Sequence, residues 1–423
     1  MSPTLRILLV CLVVQAASAK FSFGSDILAS LKDVKQIVTG QSLQSCTYND
    51  FMKYVPSGYP VQQHQVVTED GFKLNMFRIQ KQGTQIRNGL PVVMLQHGID
   101  SSSLAWVTNG PTDSFAFILA NAGYDVWLGN NRGNRFSREH ISLKPWEKAF
   151  WAWSFQQMAQ YDVPAAFKKI RETTGAQKIT YVGHSQGTTQ MFAALADKDT
   201  NYKIAPYLEA FHAFAPVLFL TNTKIAPLQL AKKLEHTFQS AINLLHLHHF
   251  NLGKCDFDPN LITKYQKECS SKQCNFDWIS DPNANTINYQ MYGYSENSSP
   301  GGYSTQCLVH FAQLISQNRQ APYFSKYDYG SYEENKKHYG QNIPPLYDLG
   351  LIRSKVFLYM GESDQLADST DVKMIPGNLR NAQVKLIPVP RWGHCVFTEP
   401  ADKGAFYRSV MAAFPASVRA AQK

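Results

Sequence analysis

One stretch constrains this chain more than any other: Ile179-Thr-Tyr-Val-Gly-His-Ser-Gln-Gly-Thr-Thr-Gln-Met-Phe-Ala-Ala-Leu-Ala196. Its first residues are β-branched and aromatic, as a buried strand requires. It then passes through Gly183-His184-Ser185-Gln186-Gly187 into Met191–Ala196, a run of good helix formers. Strand, tight turn and helix with serine at the apex is the context that presents a nucleophile. On such a turn the Ser185 Oγ stands clear of the backbone. Gly183 and Gly187 lack a Cβ, so strand and helix can approach closely behind it. The backbone N–H of Gln186, at the helix start, would face the oxyanion of a tetrahedral intermediate. No other G-x-S-x-G pentapeptide occurs in the sequence.

A chain of 423 residues exceeds the size at which a single core usually keeps growing. One large α/β domain with an inserted subdomain fits this length as well as two separate domains do. Hydrophobic content of 44% and aromatic content of 13% mark a globular protein. The net charge of +9 is scattered, as in the pairs Lys168-Lys169, Lys232-Lys233 and Lys336-Lys337. Without a basic stripe interleaved with aromatics, nucleic acid is a poor partner.

Residues 1–19 read as a signal peptide. Arg6 gives the positive start, Ile7–Val14 the apolar run and Ala17-Ser18-Ala19 the cleavage site, so cleavage is expected after Ala19. The apolar run is short for a membrane span and no later stretch reaches eighteen apolar residues. A secreted or lysosomal destination follows. Beyond Cys11, in the leader, the cysteines are Cys46, Cys255, Cys269, Cys274, Cys307 and Cys395. Some should pair in an oxidising compartment, with connectivity left open. Cys269-x4-Cys274 is not a zinc spacing, and with Cys255 and Cys307 nearby it reads as disulfide material. Asn297-Ser298-Ser299 is a glycosylation sequon.

Along the chain, 64–79 reads as a hairpin about the Asp70-Gly71 turn. Pro91–Gly98 is a buried parallel strand running into a functional loop. A helix over Phe115–Asn121 is ended by Gly123, and the next strand spans 124–129. Gly129-Asn-Asn-Arg-Gly133 is a turn at the carboxyl edge of the sheet, not a phosphate loop. Residues 158–173 form an amphipathic helix leading to the Ser185 strand, and 211–217 form another strand. The rhythm lapses from 222 to 342, which is rich in Cys, Asn, Tyr and His and suits an inserted, mostly helical cap. It resumes with strands at 355–361 and 384–389 and a helix at 406–414. The fold class is α/β: a mostly parallel sheet with helices on both faces. The expected divisions are 20–221 and 343–423 for the core and 222–342 for the cap.

A serine hydroxyl needs a base and an orienting carboxylate. In the α/β-hydrolase order, serine is followed by an acid after a late strand and by a C-terminal histidine. His394, in the loop after the last strand, is the only histidine beyond the 355–361 strand. Asp364 directly follows that strand; Asp368, Asp371 and Glu362 are the alternatives. The second oxyanion donor belongs to His97-Gly98-Ile99, with the N–H of Ile99 chosen. His97 itself is assigned a structural hydrogen-bonding role. His246-Leu-His248-His249 lacks a carboxylate at ligand spacing, so no metal or cofactor site is expected.

Several motifs together resemble the acid lipase family, which includes lysosomal acid lipase and the gastric and lingual lipases. They are Leu95-Gln-His-Gly98, Asp125-Val-Trp-Leu-Gly-Asn130 with Arg132-Gly133-Asn134, Phe150-Trp151, Tyr161-Asp162 with Pro164-Ala165, and Tyr181–Thr188. Ser299-Pro300 with Gly302 and Tyr347-Asp348 extend the likeness, which runs from about Tyr59 to Phe414. The resemblance implies an α/β-hydrolase with Ser185, Asp364 and His394 as triad and Gln186 and Ile99 as oxyanion donors. It implies hydrolysis of triacylglycerols or sterol esters at a lipid–water interface under a movable lid, without colipase and commonly at acidic pH. Asp100 departs from the family, which usually has an apolar residue there, and so bears on acyl preference or pH range. Gly393 stands in Trp392-Gly393-His394 where Glu is more usual, and the cap cysteines do not align with the family pair. Another ester hydrolase or acyltransferase of this fold is the alternative. A non-catalytic lipid-binding protein is a further one, against which an intact Ser–Asp–His set argues.

Overall fold

The computed structural model describes residues 45–224, 248–250, 255, 301–315, 323–402 and 404–414. The leader with its cleavage site, Asn297, Cys269, Cys274, His246 and most of the expected cap lie outside these residues.

The sheet is built from β1 (Val61–Val67), β2 (Phe72–Ile79), β3 (Val92–Gln96), β4 (Asp125–Leu128), β5 (Glu139–His140), β6 (Ile179–His184), β7 (Leu208–Phe214), β10 (Lys355–Gly361) and β11 (Gln383–Val389). Two further short strands, β8 (His249–Phe250) and β9 (Tyr303–Ser304), pair with each other. The nine-stranded sheet has the order β1-β2-β4-β3-β6-β7-β10-β11, with β5 beside β2. From β4 through β11 all neighbours are parallel, whereas β1, β2 and β5 are joined antiparallel. Parallel neighbours require helical crossovers, and these cover both faces.

Alternation along each strand sorts the core into two layers. Met94, Tyr181, Phe211 and Leu358 face one side. They meet Phe167 and Ile170 of the helix Val163–Thr174 (α2) and Met191 and Phe192 of Gln186–Ala196 (α3). Val93, Leu95, Val182, Phe214 and Tyr359 face the other. They meet Phe115 and Leu119 of Phe115–Asn121 (α1) and Phe406, Tyr407 and Val410 of the C-terminal helix Ala405–Ala412.

Three expected elements differ. The 211–217 strand begins at Leu208 and stops at Phe214, because Ala215 has φ 46° and Pro216 follows it. The 158–173 helix begins as a π turn, Met158–Asp162, before α2. Pro164 lacks the N–H that an α-helix would return to Gln160, which suits the wider turn. The part of 222–342 inside the described residues contains the ribbon β8–β9 and the helix Thr305–Ile315. That helix buries Phe311, Leu314 and Ile315 in the same layer as Met191 and Leu358.

Cys46 and Cys255 form a disulfide, a pairing that sequence left open; Cys307, buried, and Cys395 are not in disulfides.

Candidate active site

Ser185 has φ 52° and ψ −121°, a left-handed conformation that non-glycine residues rarely adopt. Its N–H donates to the Phe214 carbonyl at 3.1 Å, and its own carbonyl accepts from the Thr188 N–H at 2.8 Å. The turn is anchored on both sides. Space explains the glycines. A Cβ on Gly183 would stand 2.6 Å from the Gly187 carbonyl oxygen, and one on Gly187 would stand 2.5 Å from that of Gln96.

His394 follows β11, and Asp364 follows β10. The His394 Nε2 lies 2.8 Å from Ser185 Oγ, and its Nδ1 lies 2.8 Å from Asp364 Oδ2. The other Asp364 oxygen accepts the N–H groups of Leu366 (2.8 Å) and Ala367 (2.9 Å), which fixes the carboxylate plane. All three side chains are buried. A carboxylate that meets Nδ1 leaves Nε2 free to accept the seryl proton. The alternative acids are engaged elsewhere. Asp368 caps its own helix through Thr370 and pairs with Lys224, and Asp371 accepts from Asn222. Glu362 is exposed.

Gly98 packs directly on the serine: a Cβ there would be 3.0 Å from the Ser185 Cβ and 3.4 Å from its Oγ. His97 holds this loop from behind. Its Nε2 accepts from the Asn131 N–H (3.1 Å) and lies 3.0 Å from Asn134 Nδ2, while its Nδ1 lies 2.7 Å from the Gly98 carbonyl. A backbone N–H can only donate, so the proton sits on Nδ1 and the ring is neutral. Burial pushes its pKa down to about 4. In a planar trans peptide C=O and N–H point opposite ways. Fixing the Gly98 carbonyl therefore also fixes the direction of the Ile99 N–H. Gln186, the first residue of α3, is buried beside Ser185.

Three groups at the site make contacts that the sequence does not give. His184 Nε2 donates to the backbone carbonyl of His394 at 2.8 Å, and burial together with His394 lowers its pKa to about 3. Arg132 is buried between two carboxylates, with Asp70 at 2.6 and 2.9 Å and Asp162 at 2.6 and 2.9 Å. It fixes the 129–138 turn that carries Asn131 and Asn134. Asp100, at φ 55°, accepts the Gly301 N–H on its carbonyl (2.8 Å) and the Gly302 N–H on its carboxylate (3.3 Å). Its charge thus ties the loop after Ile99 to residues 301–302.

His249 stacks on Trp151 with ring centroids 4.5 Å apart. Among the described residues no group of three His, Cys, Asp or Glu side chains is placed to hold a metal. Among them, too, no helix is long and apolar enough to cross a membrane.

Comparison with known proteins agrees with this architecture. A model of the partial alpha/beta-hydrolase lipase region matches residues 52–110, and one of the alpha/beta hydrolase fold matches residues 91–401. Lipase lipl-1 of Caenorhabditis elegans is 39% identical, over 74% of this chain and 78% of its own length. The gastric triacylglycerol lipase of Rattus norvegicus is 38% identical over 77% and 80%. That of Homo sapiens is 37% identical over 82% and 85%. The chain belongs to the alpha/beta-hydrolase fold family and, within it, to the acid lipase family that includes the gastric triacylglycerol lipases.

Proposed function

We propose that this protein is a serine lipase that hydrolyses carboxylic esters of neutral lipids, triacylglycerols or sterol esters, through an acyl-enzyme. The observation that carries this reading is the hydrogen-bonded line from Asp364 through His394 to Ser185, 2.8 Å at each step. Ser185 Oγ attacks the ester carbonyl carbon as its proton moves to His394 Nε2. The oxyanion is received by the N–H groups of Gln186 and Ile99. The leaving alcohol takes the proton from His394, and Ser185 keeps the acyl group. Water then gives a proton to His394 and attacks the acyl carbon, releasing the fatty acid and restoring the serine. Asp364 holds the imidazole in the accepting tautomer and offsets the charge of the imidazolium.

The segment 222–342 is assigned as a cap over the acyl site, and residues 1–19 as a leader cleaved after Ala19 on a secretory or lysosomal route. The likeness to gastric triacylglycerol lipases supports the substrate class. The test is a fluorophosphonate probe with triolein, cholesteryl oleate and a short soluble ester across pH 4 to 8. Labelling of the wild type but not of Ser185→Ala, with turnover of at least one long-chain ester, is expected. Failure to label the folded wild type overturns the reading.

A further inference from the structure

The loop between β5 and the turn at Lys148–Trp151 holds two of its apolar side chains in water. Trp146 is 73% exposed and Ile141 66%. Isolated exposed apolar residues are ordinary; here two, one of them a tryptophan, stand on one anchored loop. The base of the loop is anchored. Leu143 packs against the cluster of Phe72, Phe150 and Trp153. Trp151 Nε1 donates to the Pro145 carbonyl at 2.6 Å, and the Ile141 N–H donates to the Gly71 carbonyl at 3.0 Å. The Glu147 carboxylate accepts the Lys144 N–H at 2.6 Å. Lys144 and Lys148, both exposed, make no ion pair among the described residues, whereas Glu139 faces Lys73 at 3.9 Å. The Glu147 carboxylate keeps its charge between them, so residues 141–148 carry a net charge of +1 beside the tryptophan.

The loop is tied to the surroundings of the serine site, because Leu143 packs against the same cluster as Ile99. Ser304 Oγ donates to the Trp151 carbonyl at 2.5 Å, and Gly301, three residues earlier, donates to the Asp100 carbonyl beside Ile99.

We propose that the Ile141–Lys148 loop docks the protein on a lipid–water interface bearing negative charge. Trp146 and Ile141 enter the headgroup layer, and Lys144 and Lys148 meet its anionic groups. An indole is amphipathic and concentrates at such interfaces. Lysine stems can lie along the apolar layer with their heads at the charged surface. The proposal rests on the lipase reading and adds the surface through which that site meets its substrate.

The test uses the full chain carrying Ser185→Ala, so that no lipid is consumed. Binding is measured by flotation with vesicles of phosphatidylcholine alone and with added phosphatidylglycerol. Trp146→Ala with Ile141→Ser is expected to weaken binding to both vesicles by about tenfold or more. Lys144→Gln with Lys148→Gln is expected to weaken binding only to the anionic vesicles, by roughly fivefold for each lysine. Unchanged thermal melting of each variant establishes that the fold is kept. If the Trp146/Ile141 variant binds both vesicles like its parent, the proposal is overturned. It is equally overturned if the parent is a dimer by light scattering and this variant a monomer, since a second copy then covers the loop. Failure of the ester-hydrolase reading shows separately, as absent fluorophosphonate labelling of the Ser185-containing protein.

Discussion

His184 donates from Nε2 to the main-chain carbonyl of His394, 2.8 Å away, so the residue before the serine holds the backbone of the histidine that meets it. Strand end and base loop are thereby locked to one another by a neutral imidazole. His184→Phe keeps most of the ring volume and removes the donor. A net hydrogen bond is worth about 1 kcal/mol, so kcat on a soluble ester should fall by roughly fivefold to tenfold with KM little changed. Steady-state kinetics on the purified variant checks this.

Removal of the triad should be far more costly. Ser185→Ala should abolish fluorophosphonate labelling. Asp364→Asn should lower kcat by about 10⁴-fold, because an amide facing Nδ1 favours the wrong imidazole tautomer. Residual turnover near that of wild type in Asp364→Asn would mean that another carboxylate orients His394.

His97 offers a dissection of the oxyanion loop. His97→Asn places a donor near the position of Nδ1 and can keep the Gly98 contact, whereas His97→Gln can supply only a group near Nε2. The Asn variant should retain more kcat than the Gln variant at similar KM. Equal losses would separate the Gly98 contact from catalysis.

Four buried imidazoles set an acid limit on the fold. Burial lowers His97 from 6.5 to about 4 and His184, His212 and His310 from 6.5 to about 3. Between those values and 6.5 the unfolded chain binds more protons than the folded one. Stability is therefore full above pH 6.5 and declines as pH falls through this window, by up to about 1.4 kcal/mol per pH unit for each ring. Urea unfolding midpoints between pH 7 and pH 4 should fall accordingly. His310→Phe should flatten the decline, provided that Ser154 and the Ser325 carbonyl, which its ring nitrogens now meet, tolerate the loss.

Much of this was legible in the sequence because the signals are local. A serine between two glycines, preceded by a strand and followed by a helix, needs only neighbours to be read. Asp364 and His394 are then found by their order after late strands, and the Phe115–Asn121 helix and the 355–361 strand fall where periodicity puts them. What escaped depends on contacts across the chain. The Cys46–Cys255 pairing joins residues 209 apart, and no spacing rule reaches that far. Arg132 and Asp162 stand in motifs and Asp70 in a turn, but only the fold shows the guanidinium buried between the two carboxylates. His184 and His97 stand next to Ser185 and Gly98 in the sequence, but only the folded geometry assigns their hydrogen bonds. The π turn at Met158–Asp162 shifts the helical phase by less than a turn, and Pro164 fits a helix start equally well, so the pattern alone does not single it out.

The bond between Cys46 and Cys255 closes a covalent ring that contains Ser185 but neither Asp364 nor His394. A protease that nicks after the exposed Lys148 opens that ring without setting either fragment adrift. The nicked polypeptide remains one molecule, with the His97–Ile99 loop still tethered to the fragment that carries Ser185, Asp364 and His394. It comes apart only when a reductant joins the protease.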